Sequence, residues 1–189
     1  LEIIVRETER MNALIEQLLY YARPVVNRID NVDINAVVQN VKKLVESQTK
    51  AKNIQVVTRL KKELPPVACD AEQLKQVLLN IVINAIQSIE TDGRIRIASV
   101  YLPEQQRVEL RIEDNGQGIP SAHHERIFDP FFTTKEQGTG LGLSLSWGIV
   151  KNHNGSLKVT SQPGRGTIFR LTLPVEHTLQ SSNGNPEAS

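Results

Sequence analysis

An α/β two-layer sandwich, with helices layered on one mixed β-sheet and a coiled-coil or bundle helix in front, is the fold class this sequence predicts. Three observations predict it. Segments of helical and of alternating periodicity follow one another as helix, strand, helix, hairpin, loop, helix, hairpin. One helix, 70–90, is apolar nearly all round. The alternating segments 94–101 with 108–113, and 156–161 with 167–173, pair off as hairpins.

Residues 1–23 place Ile4, Met11 and Leu18 in one heptad column and Leu14 and Tyr21 in the next, with Ile15 widening the stripe. The stripe predicts one amphipathic helix whose apolar side needs a bundle, a dimer partner or its own domain. Pro24 ends it, because the residue before a proline is pushed out of the helical region, and a linker follows over 24–32. Asp33 is placed to cap a helix carrying Ile34, Val37, Val38, Val41, Leu44 and Val45. Residues 54–60 are β-rich and Pro65-Pro66 marks a turn. Asp70 with Gln73 makes a capping-box-like start for helix 70–90, and Gly93 punctuates its exit. Pro103 joins the first hairpin, 115–140 is irregular, a helix spans about 141–153, and Pro163-Gly164-Arg165-Gly166 turns the second hairpin. Residues 33–176 thus form one domain, and 177–189, polar and without apolar period, read as a disordered tail.

With 22 basic against 21 acidic residues the net charge is +1, which gives no long-range argument for nucleic acid or an anionic membrane. The basic stretch 50–62 reads as a solvated helix end and strand face. A single cysteine, Cys69, excludes an intrachain disulfide or a cysteine-based metal cluster. No apolar run approaches the ~18 residues that span a bilayer, and no signal peptide is visible, so no membrane contact is expected of this piece. It begins at Leu1 in mid-pattern and reads as a fragment. His123, His124, His153 and His177 show no metal-ligand spacing and read as structural or solvent-facing.

Chemistry concentrates in four segments. Through the apolar helix 70–90 runs a single polar stripe, Gln73, Gln76, Asn80, Asn84, Gln87. Asparagine is a poor helix former, and an unpaired buried amide costs ~1–3 kcal/mol, so Asn80 and Asn84 need partners. Either they form an amide network within the core, or an amide oxygen joins a hydrated Mg²⁺ on a triphosphate. Asp114-Asn115-Gly116-Gln117-Gly118 ends a strand in a carboxylate followed by close-approach glycines: an acceptor for an exocyclic amine, or a plain Asp-Asn-Gly turn. Gly138, Gly140 and Gly142 alternate before a helix start, an arrangement that offers backbone N–H groups to phosphates. The spacing is that of neither a dinucleotide fingerprint nor a P-loop. Just before it, 128–135 holds three of the four phenylalanines and Lys135, as a hinged lid with a cation for a terminal phosphate or as a satellite apolar cluster. Gly164 and Gly166-Thr167 add a second glycine turn.

In this order the residues resemble the catalytic ATP-binding domain of bacterial sensor histidine kinases, over roughly 33–174. The stretch from Gln76 through Asn80 to Asn84 and Ala85 is similar to the family's N box, and Asp114 to Gly118 to its first G box. Phe128 to Phe132 resembles the F box, Gly138 to Leu143 the second G box, and Gly164 to Thr167 the last. The F-box run and Asn84-Ala85-Ile86-Gln87 are closest to NtrB-, AtoS- and ZraS-like kinases, and 1–23 resembles the second helix of the dimerisation and phosphoacceptor hairpin.

The resemblance implies a Bergerat (GHKL) α/β sandwich holding ATP and Mg²⁺ under a mobile lid. By that analogy Asn84 ligates Mg²⁺, Asp114 receives the adenine amine, Thr167 supports the base through water, and Lys135 meets the γ-phosphate. Gly138, Thr139, Gly140, Leu141, Gly142 and Leu143 wrap the phosphates, and Gly116, Gly118, Ile119 and Thr134 belong to the same nucleotide-binding set. Gln87 joins it where some relatives carry a basic residue, so its phosphate contact is weaker. Asn80 is the sole catalytic candidate, standing where gyrase-like ATPases place a Glu general base. An amide cannot take a proton from water, so phosphoryl transfer to a protein fits better than hydrolysis. The phosphoacceptor histidine belongs on a helix upstream of Leu1, so this fragment is not expected to autophosphorylate. The implied whole is a cytoplasmic kinase module, free or on an inner-membrane anchor. It is a homodimer through the N-terminal helix and passes phosphate to a response regulator, of the enhancer-binding transcription class for this group. A GHKL ATPase or Ser kinase, and a nucleotide-gated scaffold without turnover, are the rival readings.

Overall fold

The computed structural model describes residues 28–135 and 138–175; the heptad stripe of 1–23 and the tail of 177–189 lie outside them. The chain runs β1 (Asp30–Val32), α1 (Ile34–Leu44), α2 (Glu46–Ala51), β2 (Gln55–Arg59), β3 (Val67–Cys69) and α3 (Ala71–Ser88). It continues with β4 (Arg94–Leu102), β5 (Arg107–Asp114), α4 (Gly142–Asn152), β6 (Ser156–Gln162) and β7 (Gly166–Pro174). Five strands make one mixed sheet in the order β2-β4-β5-β7-β6, parallel only between β2 and β4.

Alternation decides which face of that sheet is buried. Ile95 and Ile97 from β4, Val108, Leu110 and Ile112 from β5, and Phe169, Leu171 and Leu173 from β7 all point into one core. Register lines them up: Ile97 faces Ile112, which faces Phe169, which faces Val159. The helices cover this face. α3 is apolar nearly all round because its Leu78, Ile81, Val82 and Ala85 belong to the same core as the sheet, α1 and α4. The opposite face carries exposed or half-exposed charge, with Arg96 and Arg111 both reaching Glu113 at 3.1 Å. Such pairs contribute ~0–1 kcal/mol, so the covered face holds the sheet.

Both expected caps form. Asp33 accepts from the Asn35 N–H at 2.8 Å, and Asp70 Oδ1 from the N–H groups of Glu72 and Gln73 at 2.9 and 3.0 Å. The reciprocal half of the capping box is altered: Gln73 reaches the Asp70 carboxylate, while the Asp70 N–H donates to Nε2 of buried His153 at 3.0 Å. That acceptor role puts the ring proton on Nδ1, which lies 2.8 Å from the Ile149 carbonyl. His153 therefore ties the end of α4 to the start of α3.

Three elements differ from the sequence pattern. The end of the segment read as linker pairs as β1 with β3, Asp30 opposite Cys69 and Val32 opposite Val67. Three-residue strands carry too few alternations to register as periodicity. The polar run 46–51 is a short helix that buries only Thr49, again below the reach of an apolar pattern.

Candidate functional site

Asp114 occupies the last core-facing position of β5, after Val108, Leu110 and Ile112, so a two-residue period carries a carboxylate into the buried layer. The sheet register sets Asp114 opposite Thr167, and Thr167 opposite Ser161, a polar row at the end of the apolar ones. Asp114 Oδ1 accepts from the Gly116 N–H at 2.9 Å and from the Ser88 hydroxyl at 3.2 Å. Burial pushes the Asp114 pKa up, against these donors and the Thr167 backbone, which lower it. Ser161 is the hub of the row: its hydroxyl accepts from the Ile119 N–H at 2.8 Å, donates to the Gly166 carbonyl at 2.9 Å and lies 2.9 Å from the Thr167 hydroxyl.

Two glycines are required by approach. A Cβ on Gly116 would stand 2.1 Å from the Ser88 hydroxyl and 2.7 Å from its carbonyl oxygen. Gly166, at φ +94°, would bring a Cβ to 2.0 Å from the Asp114 carbonyl oxygen. Both let other strands and helix ends close around the carboxylate.

The polar stripe of α3 divides into two jobs. Asn80 donates to the Gly142 carbonyl at 3.0 Å and the Ser146 hydroxyl at 3.2 Å, and accepts from Gln76 at 3.2 Å. Its amide is the network reading of the sequence, fastening α3 to the first turn of α4. Asn84 and Gln87 turn instead to the loop, where the Lys135 ammonium donates to Asn84 Oδ1 at 3.0 Å and to Gln87 Oε1 at 2.6 Å. Burial, and the nearby Lys52 charge, hold the Lys135 pKa below its usual value. Lys52 itself donates to the carbonyls of Ile86 and Ile89 at 3.0 and 2.7 Å, closing the C-terminus of α3 from another part of the chain.

The glycine loop reaches the same place. α4 begins at Gly142 with no side-chain cap, so its first N–H groups have no local side-chain partner. Phe128 and Phe132 are half-buried against the core, and Phe131 is 65% exposed. The Arg126 guanidinium lies 4.5 Å over the Phe132 ring and His123 packs beside it at 5.3 Å. Two phenylalanines thus pin the loop as a satellite apolar cluster, and the third is exposed.

A cavity of about 380 Å³ opens between these parts. Of the residues singled out from sequence, Asn80, Asn84, Gln87, Asp114, Gly118, Ile119, Thr134, Lys135, Gly138, Thr139, Gly140, Gly142, Leu143 and Thr167 line it. Gly116 and Leu141 do not; both are buried behind the wall. Sequence reasoning missed Ser88, which braces Asp114, Ser161, which organises the row, and His123 on the wall. Only Ser88 left a signal, one position beyond Gln87 at the end of a polar stripe. Among the described residues no cluster of His, Cys, Asp or Glu is arranged to hold a metal, and no helix is long and apolar enough to cross a membrane.

Every residue that builds this cavity lies between Asn80 and Phe169, inside the stretch 69–177 that matches the histidine kinase-, DNA gyrase B- and HSP90-like ATPase family. The chain belongs to that family. It is 43% identical to the signal transduction histidine-protein kinase AtoS of Escherichia coli (strain K12) over 175 residues, 93% of this chain and 29% of AtoS. Its fold is that of the catalytic domains of histidine kinases. Histidine kinase ThkA, solved in complex with response regulator protein TrrA, matches 94% of this chain and 51% of its own, with a TM-score of 0.79 and 28% identity. Full-length ShkA in complex with AMPPNP matches 91% of this chain and 37% of its own, with a TM-score of 0.80 and 25% identity. The chain thus spans about a third of the length of the curated relatives it matches.

Proposed function

We propose that this chain is the ATP-binding catalytic core of a two-component sensor histidine kinase. It presents the γ-phosphoryl group of ATP to a histidine on a neighbouring helix, from which phosphate passes to an Asp of a response regulator. One observation carries the reading: a single cavity is lined by both a buried carboxylate and an ammonium held by two amide oxygens. The first suits the amine edge of adenine and the second a polyphosphate. The AMPPNP complex of ShkA and the regulator complex of ThkA support the two halves of the proposal.

Each residue has a part. Asp114, backed by Gly116, Ser88 and the Thr167–Ser161 pair, receives the base. The backbone N–H groups of Gly140, Gly142 and Leu143, where the glycine loop enters α4, are the ones offered to the phosphates, with Lys135 at the terminal one. Mg²⁺ fits the donor set, since the Asn84 amide oxygen already faces a cation at 3.0 Å, and such ions take few protein oxygens beside phosphate. Asn84 would hold it; when bound, the ion neutralises charge on the phosphate oxygens. Asn80, with both ends of its amide engaged, has no capacity as a base, which favours transfer over hydrolysis. The proposed setting is cytoplasmic, in a dimer through 1–23, with an enhancer-binding regulator as the partner class.

The test is incubation of this chain with γ-labelled ATP, Mg²⁺ and a supplied dimerisation hairpin bearing a phosphoacceptor histidine. Label on the histidine, lost with Asp114→Asn, is the expected result. Steady release of free phosphate without transfer would move the chain to the ATPases. Binding with neither reaction would leave a nucleotide-gated scaffold.

A further inference from the structure

We infer that Gln87 acts on the nucleotide only through Lys135: it is the seat that keeps the ammonium at the phosphate end of the cavity, and so contributes to preference for a triphosphate over a diphosphate. The inference rests on the nucleotide-binding reading above. Gln87 lies exposed in the last turn of α3, one turn beyond Asn84 on the same face, and Lys135 arrives from a loop 48 residues further on. The two oxygens hold one nitrogen, the shorter bond being to Gln87 at 2.6 Å against 3.0 Å to Asn84.

The chemistry of that seat matters. An ammonium has three donors and no acceptor. With two donors on amide oxygens, the third direction is left for another acceptor, and the charge is held without being cancelled. A carboxylate at 87 would bind the lysine as firmly but neutralise it; an aliphatic side chain would leave a long, flexible cation tethered by Asn84 alone. Asn84 Oδ1 is also the oxygen proposed for Mg²⁺. Once a metal uses it, Gln87 Oε1 is the acceptor remaining for Lys135. Gln87 is accordingly a positioning residue, and Lys135 the group that touches phosphate.

The test is a double-mutant cycle by calorimetry, with Mg-ATP and Mg-ADP titrated in parallel into the parent chain, Gln87→Leu, Lys135→Met and the double variant. Lys135→Met is expected to weaken ATP roughly tenfold, the size of one charge-assisted hydrogen bond, and to leave ADP nearly unchanged. Gln87→Leu should weaken ATP several-fold, spare ADP and add nothing in the Lys135→Met background. Gln87→Glu should also weaken ATP although it keeps an acceptor. Equal losses for both nucleotides, or a Gln87→Leu loss that persists without Lys135, would overturn the seat and make Gln87 a structural or direct contact. If the parent binds neither nucleotide, the nucleotide reading itself falls, and the seat with it.

Discussion

A carboxylate in the last buried row of a sheet is costly unless something acts on it, and Asp114 is that residue. Burial raises its pKa, so the folded chain holds the proton more tightly than the unfolded chain, whose carboxyl titrates near ~3.9. By linkage, stability attributable to Asp114 falls as pH climbs from that value through the folded pKa, and stays low above it. Asp114→Asn removes the titration while keeping an oxygen for Gly116 and Ser88. Its urea midpoint should therefore improve relative to the parent as pH rises from 4 to 7; a difference that shrinks instead would mean the carboxylate is net stabilised. Nucleotide binding should still be lost, because an amide that points its oxygen at Gly116 puts its NH₂ where an adenine amine needs an acceptor.

At the scale of elements, the α3–α4 pair is what brings the amides to the glycine loop. Two polar ties join these helices at opposite ends of α4, Asn80 in the middle of α3 to Gly142 and Ser146, and His153 to the Asp70 N–H at the start of α3. The second lies roughly 16 Å along α4 from the cavity. His153→Ala leaves a backbone donor without its acceptor at the cap of α3, and is expected to lower the unfolding free energy by ~2 kcal/mol in urea titration. Mg-ATP affinity measured on the same protein should change little, since neither Asn84 nor Lys135 depends on that tie. A large affinity loss with unchanged stability would show that the cap of α3 governs the site.

For the molecule as a whole, the apolar face of one sheet and three helices share a single core, and the cavity lies at its edge, walled by α3, the Asp114 row and the loop before α4. A ligand that bridges those three parts should stabilise all of them together. At a hundredfold excess over its dissociation constant, Mg-ATP is worth ~2.7 kcal/mol, which for a chain of this size is a rise of roughly 5–10 °C in melting temperature. Differential scanning fluorimetry should record it for the parent chain, and Asp114→Asn should give no rise. A rise in both would place the nucleotide elsewhere.

What the sequence determined by itself was everything written in local pattern. Alternation placed β4, β5 and β7, Asp33 and Asp70 marked where α1 and α3 begin, and the glutamine–asparagine stripe showed that α3 has a polar duty. The ordered motifs pointed to the kinase family. The tertiary structure alone decided which partner each polar group takes. It committed Asn80 to α4 and left Asn84 and Gln87 for Lys135. It aligned Ser161 and Thr167 beside Asp114 through strand register, brought Ser88 to the carboxylate, and paired Asp30–Val32 with Val67–Cys69. The reason is physical: periodicity and capping act over a few residues and are visible along the chain, whereas a hydrogen-bond partner 26 or 51 residues away is set only when the core closes.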